Sequence, residues 1–295
     1  MSISYSPGPA QNESRSRSAP RRETVIRPPS LMRLDLARNL ARFVEYRDLL
    51  YTLSVHRIKV RYKQTVLGIS WAILQPLSIM VLFTLVFSLI VRMPSEGTPY
   101  AAFVYTALLP WTYFSTALSN GANGLVSNSP LITKVYFPRE ILPLTYVVAA
   151  LFDLVIASSV LAALMVYYRV PLTLNAFYAA PIIVILTVFV SAVSLFLSAM
   201  QVRFRDIGVA MPLLLQVWMF ATPVAYPLSA VPDALRPFYL LNPMVGIIEN
   251  FRRVVLHGGA PDGASLGVAA VTSVVLLSAS YIYFKRVEAT MADII

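Results

Sequence analysis

Hydrophobic residues gather into six blocks along this chain: Val66–Val91, Ala101–Val126, Ile141–Tyr168, Phe177–Met200, Val209–Tyr226 and Leu266–Phe284. Each block is close to the roughly 20 apolar residues that a helix needs to cross a bilayer. The pattern therefore predicts an all-α polytopic membrane protein with six transmembrane helices. Upstream the pattern changes. Between Leu34 and Tyr62 the apolar residues Leu36, Leu40, Phe43, Val44, Leu50 and Leu53 recur at helical spacing with charges between them. That spacing predicts an amphipathic helix lying in the membrane interface. Met1–Ser30 is rich in Ser, Pro and Arg and lacks the apolar core of a cleaved signal. The expected organisation is a disordered basic tail at 1–33, an interface helix at 34–63 and a six-span domain at 64–295.

One stretch breaks the rhythm. From Trp218 to Gly259 the chain stays apolar but is interrupted by Pro223, Pro227, Pro232, Pro237 and Pro243. Proline removes a backbone donor and ends or kinks a helix. Lipid accepts such broken backbone only where protein or a water-filled cavity surrounds it. The prediction is a fifth span ending near Tyr226, followed by re-entrant outer helices before span six. Glu249 and Arg252 stand at i,i+3 spacing after Asn242-Pro243, so they meet on one helix face. These three are the candidate outer gate: Asn242, Glu249 and Arg252.

Composition agrees with a membrane protein: 57% of the 295 residues are hydrophobic and 13% charged, against about 25% charged in soluble domains. The net charge of +10 is unevenly distributed. With the N-terminus inside, 19 of the 24 Lys and Arg residues fall on the inner segments and 5 on the outer loops. Positive charge marks the cytoplasmic side, so both termini are expected in the cytoplasm, and nucleic acid is not an expected partner. The chain has no Cys and only two His, His56 and His257, so thiolate or histidine metal sites are not expected. It contains no phosphate-binding loop, HExxH or nucleophile elbow. Any ATP hydrolysis must come from a partner. Asp153, inside the third block, is a functional candidate by default, as either a structural hydrogen-bonding group or part of a hydrated pathway.

The predicted inner segments carry further chemistry. Arg57, Lys59, Arg61 and Lys63 stand just before the first span. They are positive-inside anchors and candidate receivers of an anionic head group, since Arg grips phosphate bidentately and Lys does so as a point charge. Spacing of two turns a helix by about 200°, so only one or two of the four can face such a site. The loop Asn128–Glu140 is apolar for a solvated turn, with Pro130 and Pro138 bracketing a short helix. It reads as a docking surface. So does the short loop holding Phe204, Arg205 and Asp206.

The run Val60–Leu77, with Trp71, Gln75 and Pro76, resembles the approach to the first span in membrane subunits of bacterial surface-polysaccharide ABC exporters. The loop Asn128–Pro138, Phe204-Arg205-Asp206, Pro223–Pro227 and Asn242-Pro243 followed by Arg252 are also similar to that family. The resemblance runs from about Glu45 to the end and is closer to O-antigen and teichoic-acid permeases than to the capsule branch. It implies a type-2 ABC permease, present in two copies with two copies of a separate nucleotide-binding subunit. ATP and Mg would be bound by that subunit and no cofactor by this chain. It implies docking through Pro130, Leu131, Lys134, Tyr136, Phe137, Phe204, Arg205 and Asp206. It also implies a lipid-linked glycan as cargo, carried across the cytoplasmic membrane. Flat aromatic faces suit sugars, which makes Tyr105, Trp111, Tyr113, Phe114, Trp218 and Tyr226 candidate channel aromatics. The competing readings are a type-2 permease for a drug or small lipid and a membrane glycan-processing enzyme.

Overall fold

The computed structural model describes residues 45–294 except Gln64 and Tyr136. The basic tail at 1–33, the first part of the interface helix at 34–44 and the docking candidate Tyr136 lie outside the described residues. No strand occurs among the described residues, and the helices follow the apolar blocks. They are α1 (Arg47–Lys63), α2 (Trp71–Phe83), α3 (Tyr100–Ala122), α4 (Ser129–Lys134), α5 (Ile141–Tyr167), α6 (Ala179–Arg203), α7 (Asp206–Phe220), α8 (Arg236–Leu240), α9 (Pro243–Val255) and α10 (Gly263–Ile294).

Among the described residues, four helical stretches are long and apolar enough to cross a membrane: Gly68–Ile90, Ile141–Tyr167, Leu174–Arg203 and Gly263–Glu288. They match the first, third, fourth and sixth apolar blocks. The first runs through α2 into a π-helical turn at Thr84–Ile90. The other two blocks differ for identifiable reasons. The second, α3, has 23 residues, but Tyr, Thr, Ser, Asn and Trp dilute its hydropathy. It can afford those residues because protein surrounds it: α3 packs against α2, α5, α6, α7 and α9. The fifth, α7, is apolar but has only 15 residues. It ends at Phe220, six residues before the expected boundary at Tyr226, and turns then carry the chain through Pro223.

Small residues let the helices approach closely, which is how bundles associate where lipid removes the hydrophobic drive. A Cβ on Gly121 of α3 would lie 2.2 Å from Ser194 Oγ of α6, and one on Gly246 of α9 would lie 2.9 Å from the Ser265 backbone oxygen of α10. Buried hydroxyls turn back onto their own helices: Thr106 donates to Ala102 O at 2.7 Å and Ser273 to Ala269 O at 2.6 Å. This local pairing satisfies polar groups in an apolar bundle. Leu82, Leu85 and Leu89 near α2, and Val209, Leu213 and Val217 on α7, remain exposed. An apolar surface of that extent suits lipid or another protein rather than water.

Candidate functional site

The four cations before the first span divide as helical geometry requires. Arg57 and Arg61 are four residues apart on α1, so they share a face, and that face packs on α5. Arg57 Nη2 donates to Asn128 Oδ1 at 2.6 Å, and its guanidinium lies 4.6 Å from the centre of the Tyr146 ring. Asn128 in turn donates to Gly124 O at 2.6 Å. Arg57 thereby ties α1 to the turn that leads into α4. One turn later Arg61 Nη1 meets Asp153 Oδ2 at 2.5 Å, and the Tyr62 hydroxyl donates to Asp153 Oδ1. Burial, reinforced by Asp153, pushes the Tyr62 phenol up, so it stays a donor. Lys59 and Lys63 are exposed. Both of these partners of Asp153 come from α1. A cavity of about 40 Å³ adjoins these groups, lined also by Trp71, Gln75, Thr112 and Thr116.

The second candidate docking loop is tied to the end of α3, five residues before the first. Gln201 Nε2 bridges Asn123 Oδ1 at 3.2 Å and Arg205 O at 3.1 Å. Pro130, Lys134, Phe204, Arg205 and Asp206 are exposed, and Leu131 is half-buried. Phe137 requires a correction. It is 7% exposed and sits in a core cluster with Leu125, Ile132, Leu142, Val202 and Phe284. An apolar ring beside an apolar core is withdrawn from the surface, so Phe137 seats the loop and offers no docking face. The loop is pinned at its end as well. Buried Glu140 accepts from Lys285 Nζ, which also bonds Glu288 at 2.8 Å, and Arg139 Nη1 donates to Glu288 O at 2.8 Å. Burial raises the Glu140 carboxyl above its ordinary value, opposed by the Lys285 charge and reinforced by Glu288.

At the other end of α3 the structure brings the gate candidates together. Asn242 caps α9: its Oδ1 accepts from Met244 N at 3.1 Å and from Trp218 Nε1 at 3.2 Å, and its Nδ2 donates to Thr222 Oγ1 at 2.9 Å. One amide therefore starts α9 and ties it to the end of α7. Arg252 is 1% exposed. Its Nη1 meets Glu249 Oε1 at 2.7 Å, its Nη2 donates to Pro223 O at 3.0 Å, and the guanidinium lies 3.7 Å from the centre of the Phe103 ring. Burial pushes the Arg252 group down and the Glu249 carboxyl up, each opposed by the other's charge. Arg252 thus clamps the proline-rich turn and α9 onto α3.

The aromatic set requires a second correction. Tyr105, Trp111, Tyr113 and Phe114 are buried within the chain itself. Phe114 stacks on Phe189 at 5.7 Å and meets the edge of Trp218 at 4.8 Å. Tyr105 donates to Ala157 O at 3.0 Å. Faces covered by neighbouring helices cannot slide along sugars, so these four are packing residues. They lie on α3, and a helix surrounded by others hides its aromatics. Trp218 and Tyr226 are half-buried, with Tyr226 Oη 3.1 Å from Tyr239 Oη.

Residues 48–256 match the ABC-2 type transporter family. The chain belongs to that family. The matched stretch runs from the start of α1 to just past α9, so it contains Arg57, Arg61, Asp153, both loops and Arg252. Two similar proteins are O-antigen export system permease proteins named RfbA. The one from Myxococcus xanthus is 35% identical over 83% of this chain and 94% of its own length. One from Klebsiella pneumoniae is 25% identical over 84% and 95%. The polysialic acid transport protein KpsM of Escherichia coli is 24% identical over 82% and 94%. As a multi-pass ABC-2 transporter, the chain also carries contacts that sequence reasoning missed. Phe103, Tyr146, Lys285 and Glu288 belong to no motif; Tyr62, Asn128 and Glu140 fall inside stretches singled out in the sequence, but nothing there names their partners. Among the spans' polar residues, only the intramembrane position of Asp153 could have prompted a search for a partner.

Proposed function

We propose that this chain is the membrane subunit of an ATP-driven exporter that moves a lipid-linked polysaccharide across the bacterial cytoplasmic membrane. Its similarity over 83% of its length to an O-antigen export permease carries the reading. In this reading the chain crosses the membrane six times, with both termini in the cytoplasm. The helix α3 crosses inside the bundle and α7 crosses as a short helix continued by the turns to Tyr226. The segments α8 and α9 are re-entrant on the outer side. Two copies pair, and each docks a nucleotide-binding subunit that binds ATP and Mg. The exposed residues Pro130, Lys134, Phe204, Arg205 and Asp206, with Leu131, form the docking face. The cargo phosphate arrives at the inner surface near Arg57 and Arg61, while Lys59 and Lys63 meet lipid headgroups. Asn242, Glu249 and Arg252 hold the outer gate.

Deleting the gene tests this reading. The expected phenotype is loss of surface glycan with lipid-linked polymer retained inside, and co-purification of the tagged chain with an ATPase subunit. Unchanged surface glycan in the deletion strain would overturn it.

A further inference from the structure

Asp153 is a carboxylate within an apolar helix, and what it does there is unassigned. Both of its oxygens are occupied, one by the Arg61 guanidinium at 2.5 Å and the other by the Tyr62 hydroxyl. The same two groups would hold a phosphate: a planar cation with two parallel donors, and a neutral O–H that supplies a third. Consecutive on α1, their side chains converge on Asp153 beside a small cavity that polar Gln75, Thr112 and Thr116 help to line. Exposed Lys59 and Lys63 lie on α1 close by in sequence. Arg57 holds α1 separately through Asn128 and Tyr146, so Arg61 can change partner without releasing the helix.

We propose that Asp153 is a built-in placeholder anion: a phosphate or pyrophosphate group displaces it from Arg61 and Tyr62 and takes its place. This deepens the reading of α1 as the inner-surface helix that meets the cargo. In the resting protein Asp153 satisfies a cation that would otherwise stand unpaired at the rim of the bundle. It also keeps that cation from gripping every phospholipid, because an incoming phosphate must first compete with a carboxylate already in place. Asp153 therefore lowers the affinity for phosphate, whereas a carboxylate that only oriented Arg61 would raise it.

Trp71 lines the same cavity, and the other two Trp residues, Trp111 and Trp218, are not among its lining residues. Tryptophan fluorescence of the purified full chain in phosphatidylcholine nanodiscs therefore reads this site, with Trp71→Phe identifying the signal. Two probes distinguish the sources of phosphate: inorganic pyrophosphate added to solution and phosphatidic acid placed in the nanodisc. A response to either supports the site and names the source. Arg61→Gln should abolish the response, whereas Arg286→Gln, at an exposed cation of α10 that does not line the cavity, should leave it. Asp153→Asn should lower the half-saturating concentration by about tenfold, as expected when a close charge pair no longer competes. Unchanged or weaker binding in Asp153→Asn would overturn the placeholder. No response to either probe in the wild type, or a full response in Arg61→Gln, would overturn the site itself and needs only variants that leave Asp153 intact. Failure here would leave the exporter reading standing, since that rests on surface glycan in the deletion strain.

Discussion

Arg252→Met is the most informative substitution. Methionine keeps much of the arginine's length and apolar contact but removes the charge and every donor. The change strands the Glu249 carboxylate, which is 24% exposed, and leaves the Pro223 carbonyl without its partner at 3.0 Å. Breaking a buried ion pair from one side costs about 3–5 kcal/mol. At about 2 °C per kcal/mol for a chain of this size, the melting temperature should fall by about 6–10 °C. Arg252→Lys keeps the charge but cannot reach Glu249 and Pro223 together, so its loss should be about 1–2 kcal/mol. The double change Glu249→Gln with Arg252→Met relieves the stranded carboxylate but not the carbonyl. It should retain a loss of about 1–3 kcal/mol. Two residues read only as an ion pair would suggest that exchanging their charges restores function. The structure predicts otherwise, because a carboxylate at position 252 would face the carbonyl oxygens of Pro223 and Val224. The assay is thermal unfolding of purified protein followed by size-exclusion profile, with surface glycan measured in parallel. Arg252→Met melting within about 2 °C of wild type, a shift worth roughly 1 kcal/mol, would refute the clamp, as would full rescue by the charge exchange.

Three further outcomes are expected. Because the chain has no Cys, Ser129→Cys and Asp206→Cys should react with an impermeant thiol reagent only from the cytoplasm and Pro232→Cys only from outside; labelling of Ser129→Cys from outside would reverse the topology. Phe137→Ala should destabilise the isolated chain by about 3 kcal/mol as a core truncation, whereas Lys134→Glu should leave its melting unchanged and weaken co-purification with the ATPase; equal effects of the two on the isolated chain would contradict the burial of Phe137. The Glu140 carboxyl is raised by burial, so the folded chain holds that proton more tightly than the unfolded chain does. Its contribution to stability is present below the ordinary value of 4.5 and is lost as pH rises through the folded value, and Glu140→Gln should flatten that slope in melting curves taken from pH 4.5 to 7.

The character of this protein is written in local pattern. Runs such as Ile141–Tyr168 are apolar over a bilayer's thickness, and that one-dimensional fact suffices to predict a helix across the membrane. The absent phosphate loop and the Arg57–Lys63 spacing are equally local, and the i,i+4 relation of Arg57 and Arg61 already showed that they share a face. What those faces touch is decided by which helices become neighbours. Asp153 meets Arg61, 92 positions away, and Glu140 meets Lys285, 145 positions away; no periodicity encodes either pairing. The same holds for burial. Tyr105 and Phe114 look like any membrane aromatics in sequence, but they lie on the helix that all its neighbours surround, so packing rather than sugar covers their rings. For Arg252 the i,i+3 spacing names its partner Glu249 and says nothing of solvent. Only the fold of the proline-rich turn back onto α3 brings the Pro223 carbonyl and the Phe103 ring to its guanidinium. Tertiary contact sets the dielectric around that charge, and with it the difference between a rim contact and a clamp.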